Sequence, residues 1–276
     1  MMAPHERYTV PALSRGLALM TQFTRDDREL TGAELSRRLN LPRASVFRML
    51  QTLEQLGFVE RAGDSGAYKL SLGVLRLGFE YLASMEITEY GRPVIEALRD
   101  ASSYSAHLVV RDMREVVFVS KAVGHNTQFH SIQVGARVPV HATVLGRVLL
   151  GGIKFNDLTK LYEGVDLPAR TLQTPTTLEA LHNLVKQDSA RGWGMSQGGF
   201  ESGISTIAAP VRNEHNEVSA VISISVPASS IPAQQAQELA ILVCDAAQQL
   251  TQRLRHTSAA LANAPAARAA QLAVAP

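Results

Sequence analysis

The sequence contains one cysteine, Cys244, and this scarcity limits the classes of protein that it can encode. A single thiol cannot form an intramolecular disulfide, so a disulfide-rich secreted domain is excluded and a reducing compartment is expected. Residues 1–12 lack the apolar core of a signal peptide. The apolar runs, such as Val116–Val119, are far shorter than the ~20 residues of a membrane-spanning helix. We therefore expect a cytoplasmic protein with no membrane segment.

The chain also has little excess charge, because its formal net charge is only +2 over 276 residues. Such a chain is not coated in basic residues, so affinity for nucleic acid must come from a local patch. A handful of phosphate contacts in the right place is enough for such a patch. Hydrophobic residues make up 46% of the sequence and charged residues 19%, as in ordinary globular proteins, and the length suggests two domains.

Common catalytic and metal-binding motifs are missing as well. No G-x-S-x-G elbow, no G-x-x-x-x-G-K-S/T loop and no C-x-x-C pair occurs, and the glycines near residue 195 do not match the dinucleotide fingerprint. Three histidines, His125, His130 and His141, could meet at a metal ion, but their spacing matches no common template. We predict no catalytic residue, no cofactor and no metal site, and keep a metal-binding sensor as an alternative.

The most informative stretch, residues 35–56, predicts a helix, a tight turn and a second helix. Four apolar residues of the second helix recur at helical spacing and are expected to face a core, namely Val46, Leu50, Leu53 and Leu56. Pro42 suits the first turn of this helix, where a missing N–H costs nothing. Before it, Thr31 and Glu34 have the spacing of a capping box, and Asn40 suits a left-handed turn.

The polar side of the second helix carries Arg43, Ser45 and Arg48, which fall off the apolar stripe. A short exposed helix of this kind fits the major groove, where arginine can grip guanine and serine can bond base edges or phosphate. The residues that we predict to contact DNA are Arg15, Arg38, Arg43, Ala44, Ser45, Arg48, Arg61 and Lys69.

A hairpin is predicted directly after the second helix. Two short apolar runs, residues 57–61 and 67–70, flank a turn rich in Gly, Asp and Ser. A helix-turn-helix followed by a hairpin is a winged helix. Two alternatives stay open, a small helical domain with a solvated arginine face and a winged-helix module that contacts only proteins.

From Ser105 onward the spacing of apolar residues changes from that of a helix to that of strands. The pattern predicts an antiparallel sheet with helices, an α+β layer. A helix from Ser71 and another over Thr88–Ala101 precede it. Pro93 would lie in the first turn of the latter if that helix begins near Gly91. The predicted strands are 107–111, 115–121, 129–134, 193–196, 204–211 and 218–226. The predicted helices are 142–150, 157–162, 178–190 and 232–254.

A binding pocket is suggested by the last of these strands. Ser223 and Ser225 are two residues apart and therefore face one side of the sheet, while Ile222, Ile224 and Val226 face the core on the other side. Serine hydroxyls can donate to a carboxylate or ketone oxygen. The alternative is a strand with one solvated face.

Short motifs accompany these elements along the chain. In the N-terminal half they are Leu13–Leu17, Leu41–Leu53, Gly57–Val59 and Tyr68–Leu70. In the C-terminal half they are Gly135–Thr143, Arg191–Trp193, Gly203–Ile204, Ile207–Val211 and Ala220–Ser225. Each is weak alone, but together and in this order, over residues 11–255, they resemble the IclR family of bacterial transcription regulators.

The resemblance implies a domain organisation. It consists of a winged helix-turn-helix domain 11–70, a linker helix 71–86 and a GAF-like effector-binding domain 87–255. The polar composition before it predicts a flexible N-terminus 1–10, and the Ala-rich composition after it predicts a disordered tail 256–276. In the family the linker helix supports dimer contacts, and dimers often pair into tetramers. An internal core helix is the alternative for residues 71–86, which are unusually apolar.

The resemblance also implies an effector pocket, because the family uses serines at the positions of Ser223 and Ser225. The predicted pocket residues are His141, Ala142, Thr143, Val144, Leu145, Gly146, Ser196, Thr206, Ser223 and Ser225. The chain departs from the family at 197–201, where glycines replace an acidic pair, and at Ser196, where some members have Asp. This departure removes negative charge and volume, so we expect an organic acid effector, and an aromatic carboxylate is the bulkier candidate.

The predicted function is that of a ligand-responsive transcription regulator of a catabolic operon. A homodimer or tetramer would bind a near-palindromic operator in double-stranded DNA, as repressor or activator. The effector can shift DNA affinity only by its differential affinity for two arrangements of the dimer. An enzyme that uses the GAF-like pocket is the alternative function.

Overall fold

The structure, a computed structural model, describes residues 9–24, 26–124 and 132–272, without the side chains of 64, 83 and 256–272. The chain divides into two compact units, Met1–Ser84 and Met85–Pro276. Within the described ranges, no helix is long and apolar enough to cross a bilayer.

The N-terminal unit is a winged helix-turn-helix. Its elements are α1 (Pro11–Met20), β1 (Leu30–Thr31), α2 (Gly32–Leu39), α3 (Arg43–Gln55), β2 (Val59–Ala62), β3 (Ala67–Leu70) and α4 (Gly73–Ser84). The strands form a three-stranded antiparallel sheet in the order β1-β3-β2, with a 3-10 turn at Gly63–Ser65 between β2 and β3. The predicted hairpin is therefore confirmed, and β1 is a strand that the sequence did not predict.

The predicted start and end of α2 are confirmed. The Thr31 hydroxyl accepts a hydrogen bond from the Glu34 amide at 3.2 Å, and the Glu34 carboxylate accepts one from the Thr31 amide at 2.9 Å. Asn40 ends the helix at φ 51°, in the left-handed region. Pro42 is the residue before α3 rather than part of its first turn.

The core of this unit is built on α3, where Val46, Leu50 and Leu53 are buried together with Leu35. The prediction that Leu56 faces the core is wrong, since its side chain is 57% exposed. The helix proper ends at Gln55, so Leu56 caps it and leaves the apolar stripe.

Helix α4 has an exposed apolar surface. Leu77, Phe79 and Tyr81 are 60%, 61% and 65% exposed, and none of the described side chains between Gly73 and Ser84 is buried. The alternative of an internal core helix therefore does not fit this unit.

The C-terminal unit is an α+β layer, as predicted. Its strands are β4 (Ser105–Asp112), β5 (Glu115–Ala122), β6 (Arg137–Pro139), β7 (Gly194–Gln197), β8 (Ser205–Arg212) and β9 (Val218–Val226). Its helices are α5 (Glu86–Ser102), α6 (Val144–Leu149), α7 (Phe155–Leu161), α8 (Leu178–Arg191) and α9 (Ala233–Leu272). The strands form an antiparallel sheet in the order β6-β5-β4-β9-β8-β7.

Some predicted bounds are corrected. Helix α5 begins at Glu86, so Pro93 lies inside it and not in its first turn. Of the strand predicted over 129–134, residues 129–131 lie outside the described part of the chain, and 132–134 are not in a strand. The edge strand is β6 instead. Helix α9 continues 18 residues past the predicted end at Leu254, and the disorder predicted for 256–276 stays a prediction.

The two faces of the six-stranded sheet are covered by different helices. Ile222 and Ile224 are fully buried on the face that α5 and α9 cover. On this face α5 approaches the sheet closely, because a Cβ on Gly91 would lie 2.5 Å from Leu108 Cδ2, and Leu108 is paired with Ile222. The other face, which carries Ser223, is covered by α6.

The capping box gives a prediction about stability. Replacing a capping threonine by alanine costs about 1 kcal/mol of helix stability, so we expect Thr31→Ala to speed amide exchange in α2 about fivefold. Hydrogen–deuterium exchange of peptides that cover α2 measures this change. Thr52→Ala is the control, because its exposed hydroxyl only bonds the carbonyl of Arg48 within α3. Equal exchange in both variants would contradict the proposed role of the cap.

Candidate functional site

Some of the residues predicted to contact DNA lie together on one surface of the N-terminal unit. Arg43, Ala44 and Arg48 are exposed on the first two turns of α3, and Ser45 is partly exposed. Arg15, on α1, lines the same groove between α1 and α3 as Ser45 and Arg48. Among the described residues, the side chains of Arg15, Arg43 and Arg48 have no ion pair, so their charges are available to a ligand such as phosphate.

Arg38 is held differently from the arginines of α3. Its guanidinium makes two hydrogen bonds to the Asp27 carboxylate, at 2.8 and 2.9 Å. These hydrogen bonds lower the pKa of Asp27. Phosphate can bind Arg38 only if it replaces this carboxylate or joins it.

The two basic residues of the wing are also paired with acids. Arg61 donates to Glu54 at 3.3 Å and lies 5.4 Å from the centre of the Tyr68 ring, while Lys69 lies 3.1 Å from Glu60. All four charged side chains are about a third to a half exposed, and exposed pairs of this kind contribute little stability. These pairs can therefore exchange an acid for a phosphate at little cost.

The C-terminal unit contains a cavity of about 70 Å³ between the sheet and the start of α6. Seven of the ten predicted pocket residues line it, namely Thr143, Val144, Leu145, Ser196, Thr206, Ser223 and Ser225. The volume is under half of the ~150 Å³ apolar cavity that binds benzene. A small acid therefore suits this volume better than an aromatic acid.

The polar lining follows from the pairing of four strands. Ser225 of β9 lies opposite Ser105 of β4 on one side and Thr206 of β8 on the other, and Thr206 lies opposite Ser196 of β7. Residues directly opposite each other in antiparallel strands share a face of the sheet. The result is a row of four hydroxyl groups across the floor of the cavity.

The other three predicted pocket residues do not line the cavity. His141 points elsewhere, since its Nε2 lies 3.1 Å from the Pro168 carbonyl oxygen and its ring packs edge-on against Tyr162. Ala142 is buried in the same loop. Gly146 serves the packing of α6, because a Cβ there would overlap the backbone of Val140.

His107 is a cavity residue that the sequence analysis missed. It is 4% exposed, lies opposite Ser223 in the neighbouring strand, and packs edge-on against Phe118 with ring centres 5.5 Å apart. Burial lowers the pKa of His107 to about 4, so the ring is neutral at pH 7. A histidine inside the apolar run 107–110 looks like a strand residue in sequence. That His107 lines the cavity can be recognised only when the pairing of β4 with β9 is known.

Two buried polar atoms of this site lack a partner among the described residues. They are Nδ1 of His107 and Oγ of Ser223. An unsatisfied buried polar group costs about 1–3 kcal/mol, so both atoms would be stabilised by a further hydrogen-bond partner.

A network of ionic contacts holds the wall of the cavity. Arg147 of α6 donates to the buried carboxylate of Asp188 at 2.7 Å and to the Met195 carbonyl at 3.0 Å. Arg191 also donates to Asp188, at 2.9 Å, and its guanidinium lies 4.0 Å from the centre of the Trp193 ring. Helix α6 is thereby fixed to α8 and β7.

The alternative of a histidine metal site gains no support. Among the described residues, no three His, Cys, Asp or Glu side chains are close enough to hold a metal ion. His125 and His130 lie outside the part of the chain that the structure describes.

Comparison with known proteins identifies the family. The model of the IclR helix-turn-helix domain matches residues 12–63, and the model of the C-terminal part of the bacterial transcriptional regulator IclR matches residues 79–252. The chain belongs to the IclR family. It is therefore a transcriptional regulator with a helix-turn-helix DNA-binding domain and a C-terminal effector-binding domain.

Relatives agree with this assignment. The Pca regulon regulatory protein of Pseudomonas putida is 30% identical over 78% of this chain and 73% of its own length. A putative transcriptional regulator from Rhodococcus sp. RHA1 has a similar structure, with a TM-score of 0.78, 29% identity and coverage of 89% of this chain and 98% of its own. An IclR homolog from Microbacterium hydrocarbonoxydans, solved with 4-hydroxybenzoate, shares the fold, with a TM-score of 0.77, 24% identity and coverage of 88% and 98%.

The exposed arginines of α3 give a prediction about DNA. We expect Arg48→Ala to weaken operator binding by about 1–3 kcal/mol, because the guanidinium is exposed on α3 and has no ion pair among the described residues. Footprinting and gel shift measure this loss, and effector binding should stay unchanged. Arg92→Ala is the control, since Arg92 is exposed on α5 of the C-terminal unit. Identical footprints for Arg48→Ala and the unmodified protein would contradict the prediction that α3 contacts DNA.

Proposed function

We propose that this IclR-family regulator senses a small organic acid in the cavity and that occupancy changes its affinity for a near-palindromic operator. The observation that carries this proposal is the set of unsatisfied polar atoms, His107 Nδ1 and Ser223 Oγ, beside the row of hydroxyls. Hydroxyls and an imidazole can all bond to the oxygens of a carboxylate or keto group. The regulator would act in the cytoplasm, where the DNA and the products of catabolism are found.

The cavity is proposed as a binding site and not as a catalytic site. Ser223 and His107 lie opposite each other, so a catalytic pair with Ser223 as nucleophile and His107 as base has to be considered. Neither side chain is hydrogen-bonded to the other, although nucleophilic catalysis depends on such a bond. A ring whose pKa is about 4 is also a poor base at pH 7.

DNA binding is proposed to use two copies of α3. In a dimer these helices can enter successive major grooves, which explains a near-palindromic operator. Arg43, Ser45 and Arg48 would reach base edges or nearby phosphates, and the basic residues Arg15, Arg38, Arg61 and Lys69 would bind phosphate.

The dimer is proposed to form through α4. Its exposed Leu77, Phe79 and Tyr81 are too apolar for a solvated helix. Leu77 also lines the groove whose walls include the exposed Leu13 and Leu17, so the apolar surface continues onto α1. Pairing of two such surfaces would bury them, and pairing of dimers would give a tetramer.

This arrangement predicts the effect of a charge on α4. We expect Phe79→Asp to shift the protein towards monomer at micromolar concentration and to weaken operator binding, because a carboxylate cannot be buried there without a partner. Light scattering during gel filtration measures the mass. Glu80→Gln on the same helix is the control. An unchanged oligomer mass for Phe79→Asp would contradict the proposed interface.

The effector class is tested by thermal shift with glyoxylate, pyruvate, benzoate and 4-hydroxybenzoate, together with neutral amides of the same shapes. A ligand at a hundredfold excess over its Kd stabilises by about 2.7 kcal/mol, so we expect a rise in Tm of about 5–10 °C for at least one acid. Stabilisation by neutral or cationic compounds alone would contradict the proposal.

The same assay tests the cavity. Ser223→Ala should lower the affinity for the acid about 2–10-fold, because it removes one hydrogen bond. Ser219→Ala, on the same strand but outside the cavity lining, should leave the affinity unchanged. Equal affinity in both variants would place the acid elsewhere.

A further inference from the structure

The cavity has an unusual charge balance for a site that would receive an acid. Among the described lining residues, only His107 and Glu201 carry ionisable groups, and no lysine or arginine is present. Glu201 has the wrong sign for an anion. Moving a carboxylate from water into such a place is unfavourable unless a positive group meets it. Within the described part of the lining, His107 is the residue that can become positive.

The described surroundings of His107 allow its ring to take up a proton. Nδ1 has no partner among the described residues, and the hydroxyl of Ser223 on the opposite strand has none either. On the other side, Lys121 of β5 lies opposite His107, but its ammonium group donates to Gln133 at 3.2 Å and does not line the cavity. The part of α6 that faces the cavity, Val144 and Leu145, contributes no ionisable group.

We propose that His107 takes up a proton from solvent when an acidic effector binds, so that the carboxylate is held as an ion pair with an imidazolium inside the cavity. This inference rests on the proposed function and deepens it, because it names the residue that supplies the charge. The free protein keeps His107 neutral, so a cation is not buried when no anion is present. The carboxylate and the proton enter the cavity together.

The proton has a measurable consequence for affinity. Burial, with a smaller effect of Lys121, holds the pKa of His107 near 4 in the free protein, and a neighbouring carboxylate raises it in the complex. Binding is therefore strongest at low pH. Between the free and the bound pKa the affinity falls about tenfold for each unit by which pH rises.

The experiment is isothermal titration calorimetry of the full chain with 4-hydroxybenzoate and with pyruvate, one aromatic and one small acid. Titrations at pH 7 in phosphate and in Tris, whose ionisation heats differ, count the protons that are taken up. We expect about one proton per acid bound and about a tenfold loss of affinity from pH 6 to pH 7. In ¹⁵N-histidine spectra, one ring should change from neutral to imidazolium on binding.

Two variants assign the proton. His107→Gln keeps a hydrogen-bonding side chain that does not titrate, so proton uptake, the pH slope and the imidazolium signal should all disappear. His182→Gln is the control, because His182 bonds the Ile153 carbonyl outside the cavity, and it should behave as the unmodified protein. If His107→Gln does not fold, the proton count and the spectra of the unmodified protein decide.

The outcomes separate this inference from the proposed function. Tight binding of an acid with no proton uptake, or with uptake that His107→Gln retains, overturns the role of His107 and leaves the acid as effector. Absence of binding by every acid of the panel overturns the acid effector itself, and with it the role of His107.

Discussion

The alternation of side chains along β9 is the constraint on which the C-terminal unit depends. This strand lies in the middle of the sheet, between β4 and β8, and its faces are covered by α5 and α9 on one side and by α6 on the other. Ile222 and Ile224 fill the core under α5 and α9, and their neighbours Ser223 and Ser225 must then lie on the opposite, also covered, face. A shift of register by one residue would bury the hydroxyls in the core and place the isoleucines in the cavity.

The N-terminal unit follows the opposite principle. The side chains predicted to contact DNA are exposed or partly exposed, and several of the basic residues form ion pairs with neighbouring acids, as Arg38 does with Asp27. Such pairs orient a guanidinium without fixing it, because exposed ion pairs are weak. The surface predicted to bind DNA and the cavity for a small molecule thus differ in their exposure to solvent, and they lie in separate compact units.

Features that depend on local sequence were predictable. The cap at Thr31, the turn at Asn40 and the hairpin after α3 each result from residues within a few positions of one another. Features that depend on distant neighbours were not. His107 becomes part of the cavity only because β4 pairs with β9, which is more than a hundred residues away in sequence. The exposure of Leu56 depended on where the helix ends, and apolar spacing does not fix that point.

The pocket prediction shows the same division. Ser196, Thr206 and Ser225 were predicted together, and strand pairing joins them into one row. His141 was grouped with them because it precedes α6 in sequence, but the chain turns there, and its ring points to Pro168. A contiguous motif thus contributes residues both to the cavity and to the packing behind it.

Trp193 has a practical consequence of its own. It is the only tryptophan in 276 residues, it is stacked under the guanidinium of Arg191, and it directly precedes the strand that carries Ser196 into the cavity. Emission excited at the red edge of the indole band, where tyrosine does not absorb, therefore comes from one side chain between α8 and β7. The native chain thus carries its own optical reporter on the segment that leads to Ser196 of the cavity lining, and needs no attached dye.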